Sequence, residues 1–175
     1  MEDFRKALEG TIGRKHIDKV VAQVVDSPAR FGELYALTND EDERTAWHAT
    51  WACEKLSIQL PSLYQGKTEE LMLRAMQCQH SGIKRLLLNI VFHLPIREPI
   101  HVEFLDFCLH GMLSPMETAS GQAVCMKLAY AFCQKEPELL GELQAYLENM
   151  EPEYYPAAVQ CTRNHILKEI RKEKL

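Results

Sequence analysis

The chain has 175 residues, of which 46% are hydrophobic and 26% are charged, and its formal net charge at pH 7 is −5. These values are typical of a globular domain and exclude a disordered or fibrous chain. A nucleic-acid binder usually carries a clustered basic excess, and the negative net charge argues against that class.

The first part of the chain predicts two helices. A short helix over residues 2–9 ends before Gly10, since glycine is common at helix C-termini. A second helix over residues 14–26 has aliphatic side chains at helical spacing and stops before Pro28. We expect residues 1–27 to form a cap on the elements that follow.

The rest of the chain predicts four helix pairs. Each pair has two segments with apolar residues three and four positions apart, joined by a short connection. Prolines lie at the predicted boundaries and not inside the helices, where they would break the backbone hydrogen bonds. No segment has the alternation and turn residues of a β-hairpin. The predicted pairs cover residues 28–60, 67–94, 100–135 and 137–175.

A repeat runs through the second helices of these pairs. An Arg or Gln is followed three residues later by one apolar residue, and four residues after that by another. Successive segments are separated by 41, 37 and 41 residues, which is the period of stacked helix pairs that bury their apolar faces against their neighbours. The Arg or Gln of the repeat is Arg44, Arg85, Gln122 and Arg163.

This array resembles the HEAT repeats of the armadillo-like superfamily, in which a proline opens the first helix of a pair and an arginine lies near the start of the second. The resemblance covers about residues 28–175, and Gln122 departs from the arginine pattern. It implies an all-α fold, a right-handed α-α superhelix or solenoid of about four helix pairs with N-terminal capping helices, in a single domain. The second helix of each pair would line its concave face.

Two short segments, residues 43–47 and 155–158, are also similar to a group of short all-helical bacterial chains, some of which are labelled adenylosuccinate lyase. That lyase superfamily works through a Gly-Ser-Ser-x-Met-Pro-x-Lys loop in a long tetrameric helical bundle. The nearest string in this chain, residues 111–116, lacks the paired serines and the lysine. The similarity therefore does not predict lyase activity.

The six cysteines and seven histidines do not form a metal-binding pattern. Zinc needs three or four convergent ligands, and the closest pair, Cys78 and His80, has no second pair to complete it. No serine, threonine or cysteine lies in the signature of an activated nucleophile. We therefore expect reduced cysteines, no metal, no cofactor and no enzymatic activity.

The most distinctive cluster is formed by Trp47 and Trp51, one helical turn apart, with Arg44 and His48 beside them. A helical-repeat DNA glycosylase of the alkylpurine type also lines its concave face with aromatic and acidic residues and arginines. In that alternative the recurring arginines would contact DNA phosphates and a carboxylate such as Asp106 would serve the chemistry. The acidic net charge opposes this alternative, and tryptophans at helical spacing also pack in cores.

The recurring Arg or Gln has two interpretations as well. It can bond to carbonyls or a carboxylate of a neighbouring segment and so tie repeats together, or it can project into an open groove. Our preferred hypothesis is a non-catalytic interaction or scaffold module that binds a protein or peptide. Neither a nucleic acid nor a membrane is expected as a partner, and the oligomeric state is left open. The residues predicted to form the concave binding face are Arg44, Trp47, His48, Trp51, Arg85, Asn89, His93, Gln122 and Arg163.

The sequence also predicts a cytoplasmic location. The chain begins with acidic residues, and no apolar run of the length of a secretory signal follows them. The longest apolar stretch, residues 83–94, is interrupted by charged and polar side chains and is too polar to cross a bilayer.

Overall fold

The computed structural model of the protein describes residues 3–173. Within that range all regular structure is helical and no strand is present, so the all-α fold predicted from the helical spacing is confirmed. The chain divides into two compact units, Met1–Leu94 and Pro95–Leu175. Their boundary falls where the sequence predicts the break between the second and third helix pairs. No helix within residues 3–173 is long and apolar enough to span a membrane.

The first unit is organised around one long helix, α4. The helices of this unit are α1 (Phe4–Leu8), α2 (Arg14–Asp26), α3 (Phe31–Ala36), α4 (Glu43–Gln59), α5 (Thr68–Gln77) and α6 (Ser81–His93). Helix α4 packs against α1, α2, α3 and α6, and α5 packs against α6. Leu56 on α4 and Leu88 on α6 are fully buried, and each such side chain contributes roughly 1.5–3 kcal/mol.

The connections of the first unit also form helical turns. The predicted helix that starts at Pro28 is divided into a 3-10 turn, Pro28–Arg30, then α3, then a second 3-10 turn, Leu37–Asn39. The connection after α4 forms a 3-10 helix, Pro61–Tyr64, and Tyr64 is only 1% exposed. A segment that the sequence leaves as a short connection between predicted helices therefore contributes a large side chain to the core.

Between residues 95 and 173, the described part of the second unit has four α-helices, and α8 contacts each of the others. They are α7 (Val102–Leu113), α8 (Ala119–Cys133), α9 (Pro137–Asn149) and α10 (Ala157–Glu173). Helix α8 packs against α7, α9 and α10, and α9 also packs against α10. Phe104, Met112 and Met126 are fully buried in the core of this unit. A 3-10 turn, Pro152–Tyr154, connects the last two helices.

Candidate functional site

The first unit contains a pocket of about 650 Å³ beside an exposed tryptophan. The pocket lies where the C-terminal end of α1 and the N-terminal ends of α4 and α6 come together. Two residues of the predicted binding face, Arg44 and Trp47, are part of it. The lining of this pocket, called the Trp47 pocket below, consists of Glu9, Gly10, Asp42, Glu43, Arg44, Trp47 and His80.

The side chain of Trp47 is partly open to solvent and is held by two other rings. It is 37% exposed, and its ring lies 6.4 Å from that of Trp51 at an interplanar angle of 20°. The His48 ring stacks against it at 5.3 Å. Gly82 leaves room for the indole, because a Cβ at that position would lie 3.4 Å from Nε1 of Trp47 and 3.0 Å from Cε1 of His80. The indole therefore has a fixed position with an accessible surface.

Carboxylates outnumber cations in the Trp47 pocket. Glu9, Asp42 and Glu43 lie with a single guanidinium, that of Arg44. Asp42 caps α4 by accepting from the hydroxyl and the backbone N–H of Thr45, at 2.6 and 2.8 Å, and these bonds lower the pKa of its carboxyl. An excess of carboxylates attracts positively charged groups.

The start of α6 contributes His80 to the pocket. Its Nδ1 accepts a hydrogen bond from the backbone N–H of Ile83 at 3.1 Å and so caps the helix. A ring nitrogen that accepts carries no proton, so in the neutral ring the proton is on Nε2. That Nε2 lies 3.6 Å from Oε1 of Glu43. His80, the cap of α6, thus lies near Glu43 at the N-terminus of α4, and both residues line the pocket.

His48, which the sequence predicts on the binding face, is buried in the structure. Its side chain is 2% exposed, and its Nδ1 lies 2.8 Å from the carbonyl oxygen of Leu8. The reason is the packing of α1 against α4, which covers this position of the helix and uses the imidazole to bond to the end of α1. The neighbouring Trp51 is half-buried behind Trp47.

The predicted face residues of α6 lie outside the Trp47 pocket. Arg85, Asn89 and His93 are half-buried, and Nδ1 of His93 lies 2.8 Å from the hydroxyl oxygen of Ser57. A serine beside a histidine can be a nucleophile, but this serine is 1% exposed and its hydroxyl donates to the Glu54 carbonyl at 2.6 Å. A substrate has no access to such a hydroxyl. A role in binding for these three residues of α6 stays a prediction.

In the second unit, the side chain at each of the two repeat positions bonds the second helix of its pair to the first. Nε2 of Gln122 donates to the carbonyl of Ser114 at 2.9 Å, and Nε of Arg163 donates to the carbonyl of Leu147 at 2.6 Å. In each pair the donor is on the second helix and the acceptor is at the C-terminal end of the first, where carbonyls lack helical partners. Gln122, which the sequence predicts on the binding face, is buried, with 4% exposure.

The repeat position of α4 behaves differently. Arg44 is exposed, and its closest hydrogen-bond partner is the hydroxyl of Thr11 at 3.4 Å, a long contact. In the second unit, the residue at this position of the repeat bonds the two helices of its pair together. In the first unit, the residue at the same position, Arg44, is exposed and lines the Trp47 pocket.

Two kinds of catalytic group considered from the sequence, a metal site and an acidic side chain, can be compared with the structure. Within residues 3–173 no three or more His, Cys, Asp or Glu side chains are arranged to hold a metal ion. The side chain of Asp106, which the nucleic-acid alternative would use, is 68% exposed and lies 3.5 Å from Nδ1 of His110. A carboxylate in such a solvated position lacks the enclosed surroundings that tune a catalytic acid.

Sequence reasoning missed two of the pocket residues, Glu9 and His80. They are separated from Trp47 by long stretches of chain and meet it only because α1 and α6 both pack against α4. The signal at His80 was local, since it directly precedes a helical segment, but a histidine is an uncommon cap. The sequence also does not single out Tyr154 of the second unit, which is 77% exposed.

Comparison with known proteins identifies a family. A family model described as a HEAT repeat domain matches residues 4–170. The matched range includes α1 and α2, although the resemblance seen in the sequence begins only at residue 28. No curated protein and no solved structure is detectably similar to the chain.

Proposed function

Since the chain belongs to the HEAT repeat domain family, with which it matches over residues 4–170, we propose that it is a non-catalytic interaction module whose protein or peptide partner binds at the Trp47 pocket. HEAT repeats generally mediate protein–protein interaction as scaffolds. The observation that carries the proposal is the exposed indole of Trp47, held in place by two rings and surrounded by carboxylates.

A fixed, partly exposed tryptophan is a favourable anchor for a partner. Tryptophan is enriched among the residues that carry most of the binding energy of protein interfaces, because it buries a large area with few rotatable bonds. Trp47 already has its orientation set by Trp51 and His48, so little further ordering is needed on binding.

The charges of the pocket indicate the chemistry of the partner group. A cation above the face of a tryptophan gains about 0.5–2 kcal/mol, and adjacent carboxylates add to the attraction. Glu43 lines the pocket with Trp47 and provides a carboxylate for such a cation, as does Glu9, whose Oε1 also lies 3.7 Å from a terminal nitrogen of Arg5. Arg44 can pair with a carboxylate or a carbonyl next to the cation. The partner segment therefore presents a lysine or arginine side chain to Trp47.

The nucleic-acid alternative has less support. It needs Arg44, Arg85 and Arg163 on phosphates, but Nε of Arg163 is bonded to the carbonyl of Leu147 at 2.6 Å and Arg44 lies among three carboxylates. Fluorescence anisotropy of labelled single- and double-stranded DNA across a salt series tests this alternative. Salt-sensitive binding at low salt would favour it, and no binding would leave a protein or peptide as the partner.

Quantitative affinity capture tests the interaction module. Wild type, Trp47→Ala and Glu43→Gln are used as baits in native lysate, and captured proteins are compared by mass spectrometry. Phe92→Ala is the matched control, because Phe92 is 40% exposed on α6 and outside the Trp47 pocket. We expect at least one protein that wild type and the control capture and both pocket variants lose. Identical capture by all four baits, with native circular dichroism spectra, would refute the proposed site.

A further inference from the structure

The second unit contains two adjoining pockets with an aromatic lining. Their volumes are about 320 and 410 Å³, and both are lined by Leu113, Tyr154 and Tyr155. The smaller pocket continues to Tyr146 and Met150, on and just after α9. The larger one extends to Pro115 and Glu117, which precede α8, and to Pro156, which precedes α10. Together they form a surface that we call the tyrosine groove.

The backbone holds the tyrosines of this groove in place. Tyr154 and Tyr155 donate their backbone N–H groups to the carbonyls of Glu151 and Pro152, both at 3.1 Å. The carbonyl of Tyr155 accepts from Nε2 of Gln160, at 2.8 Å, on the first turns of α10. The 3-10 turn and its neighbours are thus fixed, although Tyr154 is 77% exposed. The side chain of Tyr154 is presented to solvent by an ordered backbone, and packing within the unit does not account for it.

The charged residues that line the groove all have the same sign. Glu151 lines the smaller pocket and Glu117 the larger one, and no lysine, arginine or histidine lines either. Glu153, on the same 3-10 turn as Tyr154, is exposed nearby in the chain. An occupant that carries positive charge is therefore favoured over a neutral or acidic one.

We propose that the tyrosine groove binds an extended proline-containing segment of a partner protein that also carries a lysine or arginine. Proline-rich segments adopt the polyproline II conformation, which is already ordered before binding and has no internal hydrogen bonds, so its carbonyls are free to accept from tyrosine hydroxyls. Aromatic rings provide flat surfaces for the proline rings. The two hollows, which share Tyr154 and Tyr155, take successive side chains from one face of the segment, and Glu151 takes its cation.

This surface is independent of the Trp47 pocket. All of its lining residues belong to the second unit, and all of those of the Trp47 pocket belong to the first. The inference extends the proposed interaction function by a second binding surface with a different ligand chemistry, and either surface can be present without the other.

Selection from a phage-displayed library of random dodecapeptides tests the inference. The full chain is the bait, as wild type, as Tyr154→Ala and as Trp47→Ala. We expect wild type and Trp47→Ala to enrich peptides that contain at least two prolines and a lysine or arginine, and Tyr154→Ala not to enrich them. No enrichment by wild type, or enrichment of peptides without proline or basic residues, would overturn the inference.

Binding of the best selected peptide is then measured by fluorescence anisotropy. We expect Tyr154→Ala and Tyr146→Ala each to weaken binding about tenfold or more, the range of aromatic hot spots. Glu151→Gln should weaken binding less and reduce its salt dependence. A peptide in which alanine replaces the prolines is the matched ligand control. Unchanged affinity in both tyrosine variants, or equal binding of the alanine peptide, would refute the groove, whereas the loss of binding only in Trp47→Ala would assign the peptide to the first unit.

Discussion

An ion pair holds the first helix to the segment that precedes α4. Nε and one terminal nitrogen of Arg5 donate to the two carboxylate oxygens of Asp40 at 2.9 and 3.1 Å. The same carboxylate accepts from the backbone N–H of Asp42 at 2.9 Å, and the Asp40 side chain is only 9% exposed. The bonds from Arg5, and then that from Asp42, lower the pKa of Asp40 to about 2 from its ordinary value of 3.8.

We predict that this pair stabilises the protein above about pH 4 and that its contribution is lost as the pH falls towards about 2. A carboxyl whose pKa is lower in the folded state than in the unfolded state stabilises the folded state. The effect is complete above the unfolded-state pKa, here 3.8, and is lost as the pH falls through the folded-state pKa, here about 2. Asp40→Asn keeps an acceptor for the backbone of Asp42 but removes the charge. Its thermal unfolding midpoint should lie below that of wild type at pH 7, and the difference should shrink between pH 4 and pH 2. A constant difference over that range would contradict the prediction.

At the scale of the helices, the N-termini of several helices are each capped by one side chain. Asp42, His80, His101 and Thr118 each accept a backbone N–H three residues later, at the starts of α4, α6, α7 and α8. Asp and Thr are among the preferred N-cap residues. The two histidines are not, but each accepts the capping hydrogen bond with its Nδ1. The caps explain why the helices begin close to where prolines and polar residues predicted them.

We expect His101→Ala to lower the free energy of unfolding by about 1 kcal/mol, the usual value of an N-cap. Nδ1 of His101 accepts from the backbone N–H of Phe104 at 3.1 Å, and alanine leaves that group without a protein acceptor. His101→Asn restores an acceptor and should recover most of the loss in urea unfolding. His165→Ala, at an exposed position within α10, is the control and should have little effect. An asparagine variant as unstable as the alanine variant would show that the imidazole acts in another way.

The fold was more predictable from the sequence than the candidate site. Helical spacing and prolines report on each segment by itself, and they located the helices well. Exposure of one position on a helix depends on what packs against it: α1 covers His48, and the adjacent Trp47 stays open. Arg44 and Arg163 occupy the same position of the repeat. Nε of Arg163 donates to the carbonyl of Leu147 near the end of α9, at 2.6 Å, whereas the side chain of Arg44 is exposed. These differences come from packing, which single-sequence patterns do not contain.

At the scale of the whole molecule, each unit has a core of its own. In the first, Tyr64 donates its hydroxyl to the Cys53 carbonyl and packs edge-on against Phe31 with ring centroids 4.9 Å apart. Burial raises the pKa of the Tyr64 hydroxyl, because a charge there would be desolvated. In the second unit, Phe104 packs against Phe132 with ring centroids 5.6 Å apart. In repeat proteins, stability is close to a sum of local terms and nearest-neighbour terms, so damage to one core does not have to spread through the chain.

Tyr64→Ala tests whether the two cores behave in this way. Removal of a buried aromatic ring costs about 3–5 kcal/mol, and we expect this loss to raise hydrogen exchange in α4, α5 and α6 much more than in α8 and α10. The measurement is hydrogen exchange with mass spectrometry on the full chain. Ile58→Ala, at a 61% exposed position of α4, is the matched control and should leave exchange unchanged in both units. If Tyr64→Ala raises exchange equally in all these helices, the chain unfolds as one cooperative body, and a partner bound at the Trp47 pocket would then also stabilise the tyrosine groove.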